Sequence, residues 1–351
     1  MFAYVGSYTT EKRRGRGPGI TVYAIDSRSG EWSPVQTLAD LVNPSFLALD
    51  RRRRVLYSAH GDEDYATAFA IDEATGRLAL LNRQSTGGQN GVHLAVDATN
   101  RFLVVGNYAS GTVAVVPIAP DGSLEPLSDL VTLTGTPGPD PVQQTSSHPH
   151  DVPFDRAGRF VLVPDKGFDR VFVFKLDTAG GTLVPGDPPS VASRPGAAPR
   201  HADFHPTGSY AYVNNELDST VTTYQFDPER GGLEPLQVIS TVPADFTAKN
   251  TTAEIAVAPS GRFVYVSNRG HDSVAIFAVD AASGLLSPAG WEPARGNTPR
   301  FFALGPSGAF LYVANQNSDT IVAFRVDLAT GSLTPTGQVI HTGSPSSIVF
   351  R

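Results

Sequence analysis

The chain of 351 residues contains no cysteine, one methionine and two tryptophans. Without cysteine there is no disulfide, no thiolate nucleophile and no thiolate metal site. Long apolar runs are missing too, which removes a membrane-spanning helix. Positive charge is in the minority: 27 Lys and Arg against 34 Asp and Glu leave a net charge of −7. That balance argues against a nucleic-acid partner. The one dense basic segment, "EKRRGRG" at 11–17, reads as a solvated loop, with phosphate contact by Lys12, Arg13, Arg14 and Arg16 as the alternative. The N-terminus has no basic-apolar leader, so no signal peptide is expected and the cytoplasm is the expected location. No G-x-S-x-G elbow, phosphate-binding loop or dinucleotide fingerprint occurs. Trp32 and Trp291 are not followed by Asp, so the W-D signature of interaction propellers is absent. No segment carries an apolar helical period over helix length.

What the chain does contain is a repeat. A G-x-[L/W] turn with an acidic residue upstream recurs at Gly30, Gly76, Gly122, Gly181, Gly231, Gly284 and Gly331. The spacings run from 46 to 59 residues. Each unit holds four short runs rich in Val, Phe, Tyr and Ile, bounded by Gly, Asp, Asn and Pro. Four strands per unit of this length predict an all-β, seven-bladed β-propeller with four-stranded antiparallel blades. The expected blades are 43–89, 90–147, 148–197, 198–250, 251–297, 298–343, and 344–351 together with 1–42, in one domain. "SPSSIVFR" (344–351) is a first strand with nothing after it, and "MFAYVGSYT" (1–9) is a second strand with nothing before it. Pairing of these two ends is expected to close the ring.

The seven copies serve as an alignment of the chain with itself. Loops leading into the first strand and corners after the second strand share one face. At the corners, one position reads Tyr8, Gly61, Tyr108, Lys166, Glu216, Arg269 and Gln316. In the first strands, two successive positions read Ser45, Val92, His150, Arg200, Ala253, Arg300, Ser346 and Phe46, His93, Asp151, His201, Glu254, Phe301, Ser347. No turn rule requires these charged groups. His148, His150, Arg200, His201, Glu216, Glu254, Arg269 and Arg300 are therefore expected around one mouth of the ring. Arginine forks suit a carboxylate or phosphate, and histidine can move protons near neutrality. The competing reading is a structural salt-bridge ring of Arg200, Glu216 and Arg269. His60 and His93 read as structural. "HPH" (148–150) has a spacing some metal sites use, but no third ligand completes it, and neither metal nor cofactor is expected. Three long loops, 8–19, 133–150 and 240–252, are expected to open on the same face.

At these residues the chain resembles the seven-bladed lactonase family, which includes propeller-type 6-phosphogluconolactonases and fungal-type carboxymuconate cycloisomerases. The motifs are "SHPHDV" (147–152), "PRHADFHPTG" (199–208), "YVNNEL" (212–217), "SNRGHDS" (267–273) and "TPRFFALGPSG" (298–308), spread over essentially the whole chain. The resemblance implies His148, Arg200, Glu216 and Arg269 as the catalytic set. It implies hydrolysis of an anionic sugar lactone, 6-phosphogluconolactone first. His148 would be the general base and Glu216 would orient it or share its proton. Arg200 and Arg269 would bind the oxyanion and the substrate anion. His150, His201, Glu254, Arg300, Tyr108, Lys166 and Gln316 are expected to contact substrate. A lactonising cycloisomerase is the first alternative and a non-catalytic binding propeller the second. The expected partner is one small lactone carrying phosphate or carboxylate, bound by a monomer, with no membrane.

Overall fold

The repeated turn does the same work around the whole ring in the computed structural model, which describes residues 1–26 and 28–351. All seven turn glycines have a left-handed φ, between 66° and 89°. Side chains other than Gly resist that conformation. In six of the turns the Gly N–H donates to the carbonyl of an Asp four residues earlier, as Gly76 does to Asp72 at 2.8 Å. That Asp then turns its carboxylate back onto the turn: Asp72 Oδ1 accepts from Thr75 N at 2.8 Å. Short acidic side chains favour this local bonding.

The apolar runs form seven antiparallel sheets arranged as a ring. The first blade runs outward through Pro44–Leu49, Val55–His60, Tyr65–Ile71 and Leu78–Ser85. Ring closure follows the expected route: Pro345–Phe350 pairs with Phe2–Ser7, with Ala3 opposite Phe350 and Gly6 opposite Ser347. Second strands are buried on both sides, so they read as unbroken apolar runs. Apolar clusters form between neighbouring sheets. Tyr57 and Ala59 of the first blade pack with Leu94 and Leu103 of the second. A tyrosine in four second strands also reaches the next blade: Tyr4, Tyr57, Tyr212 and Tyr265 donate their hydroxyls to the carbonyls of Gly76, Gly122, Gly284 and Gly331. The repeated glycine therefore joins blades as well as turning the chain.

Among the described residues six sheets have four strands and one has three, Phe160–Asp165, Arg170–Asp177 and Thr182–Ala192. In that blade the innermost segment makes only isolated bridges, Pro149 with Asp165 and Phe154 with Val161. Pro149 and Pro153 lack the N–H a ladder needs. The irregular segment is the one that carries His148 and His150.

Candidate active site

Two consecutive residues of a flat strand point to opposite faces. The innermost strands escape this rule by bulging at one shared place. Register shifts fall between Pro44 and Phe46, Gly91 and His93, Pro199 and His201, Thr252 and Ile255, and Pro299 and Phe301. A bulge re-aims side chains. It lets Arg200 and His201, or Arg300 and Phe301, both face the axis. Two layers of side chains thus fill the channel at its mouth.

The upper layer surrounds a cavity of about 170 Å³. Tyr108, His150, Lys166, Glu216 and Arg269 line one side, and Tyr8, Arg13 and Arg300 line the other. Beneath it lies a narrower space of about 20 Å³, lined by His150, Arg200, His201, Phe46 and Phe301. That is room for roughly one water. Phe46 forms the floor, with its ring 4.0 Å from His93 and 5.9 Å from Phe301. The loops 133–150 and 240–252 flank an outer cleft of about 620 Å³ that meets the mouth at Glu216.

Glu216 is the hub of one wall. Its Oε1 accepts from Lys166 Nζ at 2.9 Å and lies 3.2 Å from Arg269 Nη2. Its Oε2 lies 3.2 Å from Arg200 Nε. Burial pushes this carboxyl up, but Arg269, Lys166 and Arg200 outweigh burial and hold it well below the ordinary range. It is a fixed anion and a poor base. Burial lowers Arg200 to about 9, with Arg269 adding to the shift, so the guanidinium remains charged at neutrality. The same burial lowers Lys166, which also donates to Gln143 Oε1 at 2.8 Å.

The histidines divide by environment. His150 is buried, lines both spaces, and has an Nδ1 with no partner among the described residues. Burial, then the charge of Arg200, pushes it well below its usual pKa, so it stays neutral. Its ring lies 5.1 Å from His201 and 5.5 Å from Tyr108. Burial likewise keeps His201 neutral. His201 Nδ1 lies 3.1 Å from Glu254 Oε1, which also accepts from Ile255 N–H. Burial raises Glu254 to about 8, so it is an uncharged acid at neutral pH. His93 pairs with Asp151 at 2.9 Å below this layer.

His148 stands apart from this set. It stacks on Tyr108 at 4.4 Å, its Nδ1 lies 3.0 Å from the Tyr108 carbonyl, and it lines neither space. Glu254 and Gln316 are also off the cavity wall. Gln316 lies at the edge of the mouth, where its carbonyl accepts from Arg16 Nη2. Arg200, His201, Glu216, Arg269, His150, Arg300, Tyr108 and Lys166 do come together on these walls.

Arg13 is a lining residue that departs from the solvated-loop expectation. The loop is folded across the mouth and clamped at both ends. Arg13 Nε and Nη2 donate to Asp62 at 2.9 and 2.7 Å, and Arg16 Nε donates to Asp319 at 2.6 Å. The basic run was the signal; its partner Asp62 lies on another blade and shows no sequence link to it. Among the described residues no group of three His, Asp or Glu is placed to hold a metal ion. Among the described residues no helix is long and apolar enough to cross a membrane.

Comparison with known proteins places this geometry in context. The chain matches the family described as "Lactonase, 7-bladed beta-propeller" over residues 2–350. It is 38% identical to a 6-phosphogluconolactonase of Bacillus subtilis, over 85% of this chain and 83% of that protein. It is 34% identical to a 6-phosphogluconolactonase of Formosa agariphila, over 85% and 84% of the two chains. The solved structure of a periplasmic gluconolactonase of Pseudomonas aeruginosa superposes with a TM-score of 0.90 at 32% identity, covering 99% of this chain and 98% of that one.

Proposed function

From the premise that this chain belongs to the seven-bladed β-propeller lactonase family, we propose that it is a 6-phosphogluconolactonase, opening 6-phosphoglucono-1,5-lactone to 6-phosphogluconate. The observation that carries the chemistry is a neutral, buried imidazole beside buried guanidiniums on one cavity wall. His150 takes a proton from water as the water attacks the C1 carbonyl. Arg200 and Arg269 stabilise the oxyanion that forms, from largely buried positions where such donors act strongly. The ring C1–O5 bond then breaks, and protonated His150 returns its proton to the leaving O5. Atoms balance with one water consumed and no metal or cofactor used.

Glu216 has a different part from the one expected of it. A carboxylate pinned by three cations does not accept a proton at neutral pH; it holds mutually repelling cations in place. The base assigned here is His150 in place of His148, because His150 reaches both spaces and His148 reaches neither. A phosphorylated sugar lactone does not diffuse through a bilayer, which supports a cytoplasmic location. All lining residues come from one closed ring, which supports action as a monomer.

The test is lactone opening followed at neutral pH against the spontaneous rate, beside lactonisation of a carboxymuconate. Acceleration of the first and not the second, lost in His150→Ala, is the expected result. A rate equal to the spontaneous one rules the proposal out. Turnover of the muconate alone favours the cycloisomerase.

A further inference from the structure

The two walls of the cavity differ in charge balance. On the wall built by the third to fifth blades, Lys166, Arg200 and Arg269 share Glu216. Next around the ring, Arg300 of the sixth blade has no carboxylate or carbonyl partner among the described residues, although it lines both spaces. Its guanidinium carbon lies 5.2 Å from the Tyr8 ring centroid. Arg13 lies 5.8 Å from the same ring. Two of its nitrogens are used on Asp62, and Nη1 has no partner among the described residues. Asp62 is shared by Arg13 and the exposed Lys12, which lines neither space. The remaining lining cations, Lys166, Arg200, Arg269 and Arg300, exceed Glu216 by three positive charges.

A half-buried guanidinium with no protein anion is expensive unless a ligand supplies one. A monocarboxylate would leave most of the excess standing. A phosphate monoester carries about −1.5 to −2 and presents three acceptor oxygens to planar forks. The stacking ring of Tyr8 fixes both forks without using their N–H groups.

Resting on the lactonase assignment above, we propose that Arg300 and Arg13, both within about 6 Å of the Tyr8 ring, form the subsite for the substrate phosphate. Arg200 and Arg269 are then left to the C1 oxygen. Arg300 becomes the residue that favours a phosphorylated lactone over its unphosphorylated counterpart. In this arrangement C1 lies toward His150 and the phosphate toward Tyr8 and Arg13 of the seventh blade.

The experiment compares kcat/KM for 6-phosphoglucono-1,5-lactone and glucono-1,5-lactone in wild type, Arg300→Gln, Arg300→Lys and Arg14→Gln. Arg14 is exposed and lines neither space, so its substitution removes a charge from the same loop without touching the subsite. The ratio of the two kcat/KM values is expected to fall roughly 30- to 100-fold in Arg300→Gln, chiefly through KM for the phosphorylated lactone. Arg300→Lys should restore part of the ratio, and Arg14→Gln should keep it. A ratio unchanged in Arg300→Gln overturns the proposal, as does an equal fall with both lactones. If wild type accelerates neither lactone, the hydrolase assignment fails, and calorimetric binding of 6-phosphogluconate decides the subsite. Binding lost in Arg300→Gln then upholds it, and binding retained overturns it.

Discussion

The Glu216 wall and the Arg300 wall face the same cavity and solve the same problem in opposite ways. Each gathers positive charge where water is scarce. The first ties its cations together, with one carboxylate shared by Lys166, Arg200 and Arg269, although two of the three positive charges stay unmatched. The second leaves Arg300 uncompensated. A cation held by a carboxylate is rigid and always in place, which suits a group that must meet a developing oxyanion. An uncompensated one gains most when the ligand arrives, which suits an anchor. The difference teaches that a cluster of like residues at one mouth is not one functional unit.

The largest break in this comparison is Glu216→Gln. Three cations would lose their shared anion. We expect kcat/KM to fall at least ~1000-fold and unfolding free energy to drop by about 3–5 kcal/mol, the usual cost of breaking a buried ion pair from one side. Steady-state kinetics and urea denaturation check both. A stable, active variant would mean that the wall needs no hub.

Next is the pair of histidines. His150→Ala should lower kcat about 100- to 10,000-fold, the range for loss of a general acid–base group. His148→Ala, which removes a ring stacked on Tyr108, should cost less than about tenfold. The reverse order would return the base to His148.

A smaller effect is readable in stability against pH. Burial raises Glu254 to about 8, so the folded state holds a proton that the unfolded chain has released. That contribution is fully present below the unfolded carboxyl range and is lost as pH rises through about 8. His150 and His201 are depressed, so their effect is opposite and is confined to pH below about 6.5. Between pH 6.5 and 8 the Glu254 effect should therefore remain, a loss of about 2 kcal/mol. Glu254→Gln should flatten this limb, measured as urea midpoints across the range.

The smallest effect is a control far from both walls. Tyr212→Phe removes a hydroxyl bonded to the Gly284 carbonyl at 2.9 Å and should cost about 1 kcal/mol. It should leave the selectivity between the two lactones unchanged. A shift in selectivity would show that blade docking sets the geometry of the mouth.

Much of this was legible in the residues themselves. The ring and its closure followed from a repeat interrupted at the chain ends. The mouth followed from positions where seven copies diverge into charge. Three features were hidden for physical reasons. The bulges that aim Arg200 and His201 together violate strand alternation, and the proline that opens three of them marks a break without showing which side chains it aims. His148 and His150 share a motif, and only the broken inner strand of that blade decides which one reaches the cavity. Arg13 faces inward because Asp62, 49 residues away, holds it there.

The most direct measurement is a crystal structure of the protein with 6-phosphogluconate bound. Phosphate oxygens are expected within hydrogen-bond distance of Arg300 and Arg13, and the C1 carboxylate on Arg200 and Arg269 beside His150. A reversed ligand, with phosphate on the Glu216 wall, would contradict this placement.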